Sequence, residues 1–359
     1  MEFGLTEEQA LLQETLRGFV ENECPPARVR ELFDLGSGQD TSLWSGLSEM
    51  GMAGLLIPES FGGSGLEALD LALVCEVLGG GAVPSPLFEH SLAARGLATN
   101  GSEAQRSKWL PRMAAGSVIG TVAFGEAESL WDPTDWTLRV EHDRLWGSKA
   151  FVSYGEVADL LLVGVQGGRF VLVEREAPGV KMEGLEGLDR TRPLARVEFD
   201  GAPCEPLGSG GEAAGRIRET ALAALAADAF GAAAALVDIT VEYAKAREQF
   251  GQSIAQFQSV KHQIARLGLE IEPTRALWWH AAHAVDHLPD EAVRAPALAK
   301  AHIGERAAAA ARMAVELHGG LGFTWECDVQ IWLKRILFDR MFMGHPEALR
   351  ERSARLGGW

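Results

Sequence analysis

Tyr-Ala-Lys-Ala-Arg-Glu-Gln-Phe-Gly-Gln-Ser-Ile-Ala-Gln-Phe-Gln-Ser-Val-Lys-His-Gln-Ile-Ala, from Tyr243 to Ala265, is where the chain shows its architecture. It reads as a helix end, a break at Gly251, and a second helix whose apolar residues Phe257, Val260, Ile264 and Leu267 recur at three- and four-residue steps. Arg247 and Phe250 flank the break, where a planar cation and an aromatic ring can meet a phosphate and a nucleobase. An ordinary helical hairpin uses the same residues equally well.

The wording Tyr-x-x-x-Arg-x-Gln-Phe-Gly-x-x-Ile-x-x-Phe-Gln, carried by Tyr243, Arg247, Gln249, Phe250, Gly251, Ile254, Phe257 and Gln258, resembles a signature of the acyl-CoA dehydrogenase family. Gly319-Gly320-Leu321-Gly322-Phe323 resembles the family's second signature. The resemblance implies an α+β fold that is mainly α: an N-terminal helical domain (1–117), a middle β-domain (118–210) and a C-terminal four-helix bundle that also oligomerises (211–359).

Composition is compatible with that. A chain of 359 residues is long enough for two or three domains with a real core. Its formal charge of -17 argues against a nucleic-acid or anionic-membrane surface. Cys24, Cys75, Cys204 and Cys327 stand far apart, which suggests reduced thiols in a cytoplasmic protein and gives no support for a metal site. The first residues have no basic segment leading into an apolar run, so no signal peptide is expected. The alanine-rich stretch 221–237 is slightly short for a bilayer and carries Asp228; a helix buried in a bundle is the expectation, with no membrane insertion.

From the first residue onward, Thr6 and Gln9 form a capping box ahead of a helix with Leu12, Leu16, Phe19 and Val20 on one face. The glycine- and proline-rich segment 55–65 cannot be regular structure, and it resembles the family's Gly-Leu-x-x-Pro-Glu-x-x-Gly-Gly-x-Gly loop. Between about 117 and 207 the pattern changes to short runs, with strands expected at 118–124, 136–140, 144–152, 160–165, 170–173 and 195–199. Helices are expected at 212–247, 254–285, 290–317 and 329–343.

The resemblance also assigns site residues. Phe151, in the run from Gly147 to Gly155, takes the position whose aromatic ring packs on the isoalloxazine of FAD, and Ser153 the position whose hydroxyl approaches its reactive nitrogen. Arg247, Gln249, Phe250 and Gly251 take positions that reach the adenosine diphosphate half of a flavin held mainly by a neighbouring subunit. The turn containing Glu316, Gly319 and Gly320 would cover its pyrophosphate.

Three departures from the family pattern stand out. Where the family writes Thr-Glu-Pro, a small-residue turn and Ser-Asp, holding the flavin pyrimidine where the acyl chain begins, this chain has Phe124-Gly125-Glu126-Ala127-Glu128-Ser129-Leu130. Glu316 stands where a Gln is usual, and a carboxylate facing a pyrophosphate is repelled by on the order of 4 kcal/mol per unit-charge pair at about 4 Å in a surface-like dielectric. A solvent-facing Glu at a helix end is the plain alternative.

The third departure concerns chemistry. The family removes an α-proton from an acyl thioester with a carboxylate base while the β-hydrogen leaves as hydride to the flavin. The usual Glu lies twenty residues after Gly-Gly-x-Gly-Phe, which counts from Phe323 to Met343. Other members place it twenty-six residues before the signature Arg, which counts from Arg247 back to Ala221, followed by Leu222. Neither position holds an acid. Asp339 and Glu347, read as one turn before and after Met343 on a shared helical face, and the buried Asp228 are the substitute candidates; a satisfied polar residue or a subunit contact is the ordinary reading of each.

The expected protein is thus a flavin-associated subunit for α,β-desaturation of a CoA thioester, with the catalytic Glu on a homologous partner, as in actinobacterial α2β2 assemblies of sterol side-chain catabolism. FAD shared with that partner, an acyl-CoA substrate and an electron-transferring flavoprotein follow from the resemblance. A non-redox scaffold of the same fold, or a homomeric dehydrogenase with a non-standard base, are the alternatives.

Overall fold

The computed structural model describes residues 4–36, 38, 40–126, 131–208 and 212–358, with the backbone alone for 212 and 213. Of the rewritten turn, residues 127–130 lie outside this set. The chain divides into two compact units interleaved in sequence, one of Met1–Phe33, Ala72–Val83 and Leu222–Trp359, the other of Asp34–Leu71 and Pro84–Ala221.

The first unit is helical. α1 (Glu7–Glu23) opens with the expected capping box, in which the Thr6 side chain accepts from the Gln9 backbone and Gln9 answers. α2 is Pro26–Leu35, α3 (Thr41–Glu49) belongs to the second unit, and α4 is Ala68–Gly80. α5 (Leu87–Asn100) and α6 (Glu103–Ala114) lie in the second unit, and α7 (Glu212–Ala246) passes from one unit into the other.

The part of α7 after residue 221 meets α4 backbone to backbone. A Cβ on Gly231 would stand 1.9 Å from the Glu76 carbonyl oxygen, and one on Gly79 2.2 Å from that of Asp228. Any side chain at either glycine would hold the two helices apart. By length and composition residues 214–246 could cross a bilayer, but 83% of the most apolar window is buried inside the protein, as expected of a bundle helix.

Beyond α7 the expected helices are subdivided. α8 (Gln258–Ile271) and α9 (Arg275–His287) replace the single helix expected at 254–285. A 3-10 turn at Glu272–Thr274 separates them, because Pro273 offers no N–H. α10 (Arg294–Leu317) is close to expectation, whereas α11 (Val329–Met341) stops short of residue 343. α12 (Pro346–Leu356), which the sequence reading did not anticipate, starts with Pro346 in its first turn and the His345 side chain accepting from the Ala348 N–H.

The second unit holds two four-stranded sheets. One runs β1 (Gly120–Ala123), β4 (Leu160–Val165), β5 (Arg169–Glu174), β8 (Glu205–Leu207); the other β2 (Arg139–Glu141), β3 (Arg144–Ser153), β7 (Leu194–Pro203), β6 (Val180–Leu185). β1 and β4 are parallel and the remaining pairs antiparallel. Their inner faces share a core of Leu138, Leu145, Val152, Leu161, Val163, Val171, Val197 and Phe199. Alternation along β7 is strict enough to put Ala195, Val197 and Phe199 inside and Arg196, Glu198 and Asp200 outside. β6 and β8 are additional to the expected strands, and β7 is longer at both ends.

Candidate functional site

In the second unit, the end of β1 and the middle of β3 are tied by a buried ion pair. Lys149 Nζ donates to Glu126 Oε1 at 2.8 Å and to the Phe124 carbonyl at 3.1 Å, and lies 4.6 Å from the Trp136 ring centroid. The Glu126 carboxylate also accepts from the Thr137 N–H and, at 2.6 Å, from its hydroxyl. Burial pushes the Lys149 ammonium down to about 8 against the pull of Glu126. Burial would raise the Glu126 carboxyl, but the hydrogen bonds and charge of Lys149 and the Thr137 donors outweigh it and leave it below its ordinary value. Every oxygen and ammonium here is engaged in holding two chain segments together, so the pair is a scaffold. The sequence reading quoted both residues without seeing that they meet.

Just beyond this pair β3 is distorted. Its pairing with β7 shifts register between Lys149 and Val152, and Phe151 within that step has φ 57°. A left-handed aromatic residue is strained, and such strain concentrates at working positions. The Ser153 hydroxyl is buried and has no hydrogen-bond partner among the described residues, although the Ser153 carbonyl accepts from Thr121 Oγ1 at 2.7 Å. Both residues assigned by resemblance therefore carry an anomaly that packing alone does not require.

Beside them lies a residue the sequence reading passed over. The Trp131 ring centroid is 6.0 Å from that of Phe151, with the planes 34° apart. A Cβ on Gly125 would come within 3.0 and 3.1 Å of two Trp131 ring atoms and 2.7 Å of the Ala150 carbonyl oxygen.

In the first unit, the residues around Gly251 form a small hairpin, β9 (Glu248–Gln249) with β10 (Gln252–Ser253), and Phe250 (φ 55°) and Gly251 (φ 81°) are the two left-handed turn residues. Arg247 and Gln249 are exposed, and Phe250 is 92% exposed with its ring edge-on to Phe257 at 6.1 Å. The helix end predicted here exists; the break is a hairpin.

The two signature segments meet. Tyr243 stacks on the buried His318 ring at 4.2 Å between centroids and donates its hydroxyl to the His318 carbonyl at 3.2 Å. His318 leads into the 3-10 turn Gly319–Phe323, where Gly319 and Gly320 are exposed and a Cβ on either would meet nothing within 4 Å. Glu316, exposed, sits in the last turn of α10, which contains no basic residue. It adds negative charge to the negative end of the helix, the reverse of what an anionic ligand needs.

At the two base positions the structure has apolar side chains. Met343 is 1% exposed and left-handed at φ 60°, and the turn carrying it is held by buried Lys300, whose Nζ donates to the Gly344 carbonyl at 2.8 Å and the Arg340 carbonyl at 3.3 Å. Ala221 and Leu222 are wholly buried in α7. The shared helical face expected for Asp339, Met343 and Glu347 does not exist, because α11 ends at Met341 and Phe342 is extended. Asp339 is buried on α11, whereas Glu347 opens α12 and pairs with His345 at 2.9 Å. Asp228 is held by Arg335 through both oxygens, Nε to Oδ1 at 2.8 Å and Nη2 to Oδ2 at 2.7 Å. A carboxylate with both oxygens committed to one guanidinium is not free to take a substrate proton.

Among the described residues no group of three or more His, Cys, Asp or Glu side chains could hold a metal ion.

Two family models match the chain, "Acyl-CoA dehydrogenase, N-terminal domain" over residues 6–117 and "Acyl-CoA dehydrogenase, C-terminal domain" over residues 219–357. Acyl-CoA dehydrogenase IpdE2 of Mycolicibacterium smegmatis is 34% identical over 352 residues, covering 98% of this chain and 99% of that one. Among solved structures, the Tcur3481-Tcur3483 steroid ACAD is 31% identical with a TM-score of 0.91, covering 98% of each chain. The ChsE4-ChsE5 complex from Mycobacterium tuberculosis is 28% identical with a TM-score of 0.90, covering 100% of this chain and 99% of that one.

Proposed function

Because this chain belongs to the acyl-CoA dehydrogenases, a family of FAD-dependent oxidoreductases, we propose that it is the base-lacking subunit of a heteromeric member, acting in α,β-desaturation of a CoA thioester. The observation that carries the reading is the pair of base positions. Met343 and Ala221 cannot accept a proton, and both side chains are buried. The carboxylate then comes from a second chain of the same fold.

Support for such a partner comes from the solved relatives, which are themselves named as two-component proteins. A bulky, sterol-derived acyl group is the substrate class we favour, since one of these relatives is described as a steroid ACAD. An electron-transferring flavoprotein accepts the electrons in this reading, and the complex works in the cytoplasm. The three-domain division at 117 and 210 assigns the last segment to assembly.

For a flavin the fit of this chain is incomplete. The Ser153 hydroxyl is poised to meet a polar ring atom, and Arg247 and Phe250 are exposed for a nucleotide. Against this, Gly125 offers no hydroxyl, Trp131 stands over it, and Glu316 presents negative charge where a pyrophosphate would lie. No chemical step is therefore assigned to a flavin on this chain alone. A homomeric dehydrogenase would have to draw on Asp339, since Asp228 is committed to Arg335.

Native mass, flavin content and turnover of the chain purified alone and with a Glu-bearing homologue test the reading. Turnover of a sterol-derived CoA thioester by the mixed complex alone is expected. A yellow homotetramer that desaturates any acyl-CoA by itself overturns it.

A further inference from the structure

We propose that Trp131 closes the flavin-facing edge of the sheet unit in this chain, so that the flavin of the assembled enzyme is carried on the partner's copy of that edge. The proposal rests on the heteromeric reading for where the flavin goes, but not for what Trp131 does. The edge is built from two segments, 124–126 and 149–153, joined by the Ala150 N–H donating to the Gly125 carbonyl at 2.9 Å and by the Lys149–Glu126 pair. Its aromatic component is Phe151, and the Trp131 ring lies beside it at a separation and tilt typical of packed aromatic pairs.

A Cβ at residue 125 would stand 2.7 Å from the Ala150 carbonyl oxygen and 3.0 Å from the indole, so backbone and ring together favour glycine there. A second planar ring packed on Phe151 at this edge would compete with the indole for it. Gly125 and Trp131 are thus fitted to one another.

The indole is also anchored. Asp132, the next residue, takes Arg218 Nη1 at 2.6 Å on Oδ2, and its Oδ1 accepts from the Thr134 N–H at 3.1 Å and the Thr134 hydroxyl at 2.8 Å. Arg218 is 5% exposed on α7 and the Asp132 side chain 32% exposed, so the clasp is shielded from water on its Arg218 side. The Ser153 hydroxyl on the same strand as Phe151, 1% exposed with no partner among the described residues, is the one polar feature of this edge that still suits a flavin, so the closure rests on Trp131.

FAD affinity of the isolated chain, read by quenching of flavin fluorescence, and flavin per chain in the purified complex provide the test. Trp131→Ser is expected to tighten FAD binding at least about tenfold and to raise the complex above about half a flavin per chain. Trp131→Leu keeps an apolar contact on Phe151 without the flat bicycle; it guards against loss of folding and is expected to move the same way, by at least about threefold. Unchanged affinity in both variants overturns the proposal. So does weaker binding in both, which would make Trp131 a residue that stacks on the flavin. These readouts do not depend on turnover: a complex that desaturates nothing removes the functional reading, and a gain of flavin by Trp131→Ser would still stand.

Discussion

Arg335 grips Asp228 from both sides, Nε on Oδ1 at 2.8 Å and Nη2 on Oδ2 at 2.7 Å, with each side chain 3% exposed. A third Arg335 bond, Nη1 to the Val83 carbonyl at 3.1 Å, ties the segment after α4 to α7 and α11 within the same unit. Removing one partner strands a buried charge. Asp228→Asn and Arg335→Ala are each expected to lose about 3–5 kcal/mol of stability in denaturant titrations, and Asp228→Leu with Arg335→Met to regain most of it. An Asp228→Asn protein with unchanged stability and abolished turnover in the complex would instead make Asp228 a base.

The His90 ring is wholly buried between Nε2 donating to the Ala53 carbonyl at 3.0 Å and Nδ1 accepting from the Gly120 N–H at 3.2 Å, a neutral tautomer fixed at both nitrogens. Burial lowers its pKa from 6.5 to about 4, against the pull of backbone hydrogen bonds. The unfolded chain therefore binds the proton first as pH falls. The contribution of His90 is complete above about 6.5 and is lost as pH drops toward 4, on the order of 3 kcal/mol in all. Unfolding free energies between pH 7 and 4 should show this slope, and His90→Gln should flatten it.

Glu316→Gln should strengthen FAD retention by the complex by less than about tenfold, because the carboxylate is exposed and screened. The difference between the two proteins should shrink as salt is raised from 0.05 to about 0.5 M. A difference that persists at high salt would mean that the amide makes a specific hydrogen bond rather than relieving repulsion.

Met343→Glu puts a carboxyl at the usual base position, yet in a side-chain site 1% exposed and on a left-handed residue. Burial would hold the acid protonated. Turnover by the isolated variant is expected to stay at background in a flavin-reduction assay with excess FAD. Activity there would show that a base is all this chain lacks.

The fold was legible where periodicity and glycine spacing are strong. The buried α7 announces itself by alanine content, and the Gly251 turn by its position between apolar helical runs. β6 offers only a brief signal, Val180 and Met182 alternating with Lys181 and Glu183 before Gly184 breaks the pattern, too short to stand out from a loop. α12 is polar on most faces, and its start depends on His345 as cap. Pro273 could have been recognised as the divider of α8 from α9, since its position alone removes a helical hydrogen bond.

Site residues divided differently. The positions of Phe151, Ser153, Arg247 and Phe250 came from motif register, and strain and an unpartnered hydroxyl give some of them structural substance only in three dimensions. Lys149 with Glu126, Arg335 with Asp228, and Trp131 over Gly125 each join residues far enough apart in sequence that no local pattern announces them. That neither Met343 nor Ala221 is an acid, by contrast, is a matter of counting along the chain.

The crossing of α4 and α7 also bears on how such a chain can change over time. At Gly79 and Gly231 a single methyl group would run into backbone, so these sites tolerate no drift. Met343 lies beyond the end of α11 but is itself buried, in a turn that Lys300 holds through the Gly344 and Arg340 carbonyls. Two helices whose crossing admits no added methyl group fix the outline of this unit, whatever side chain stands at residue 343.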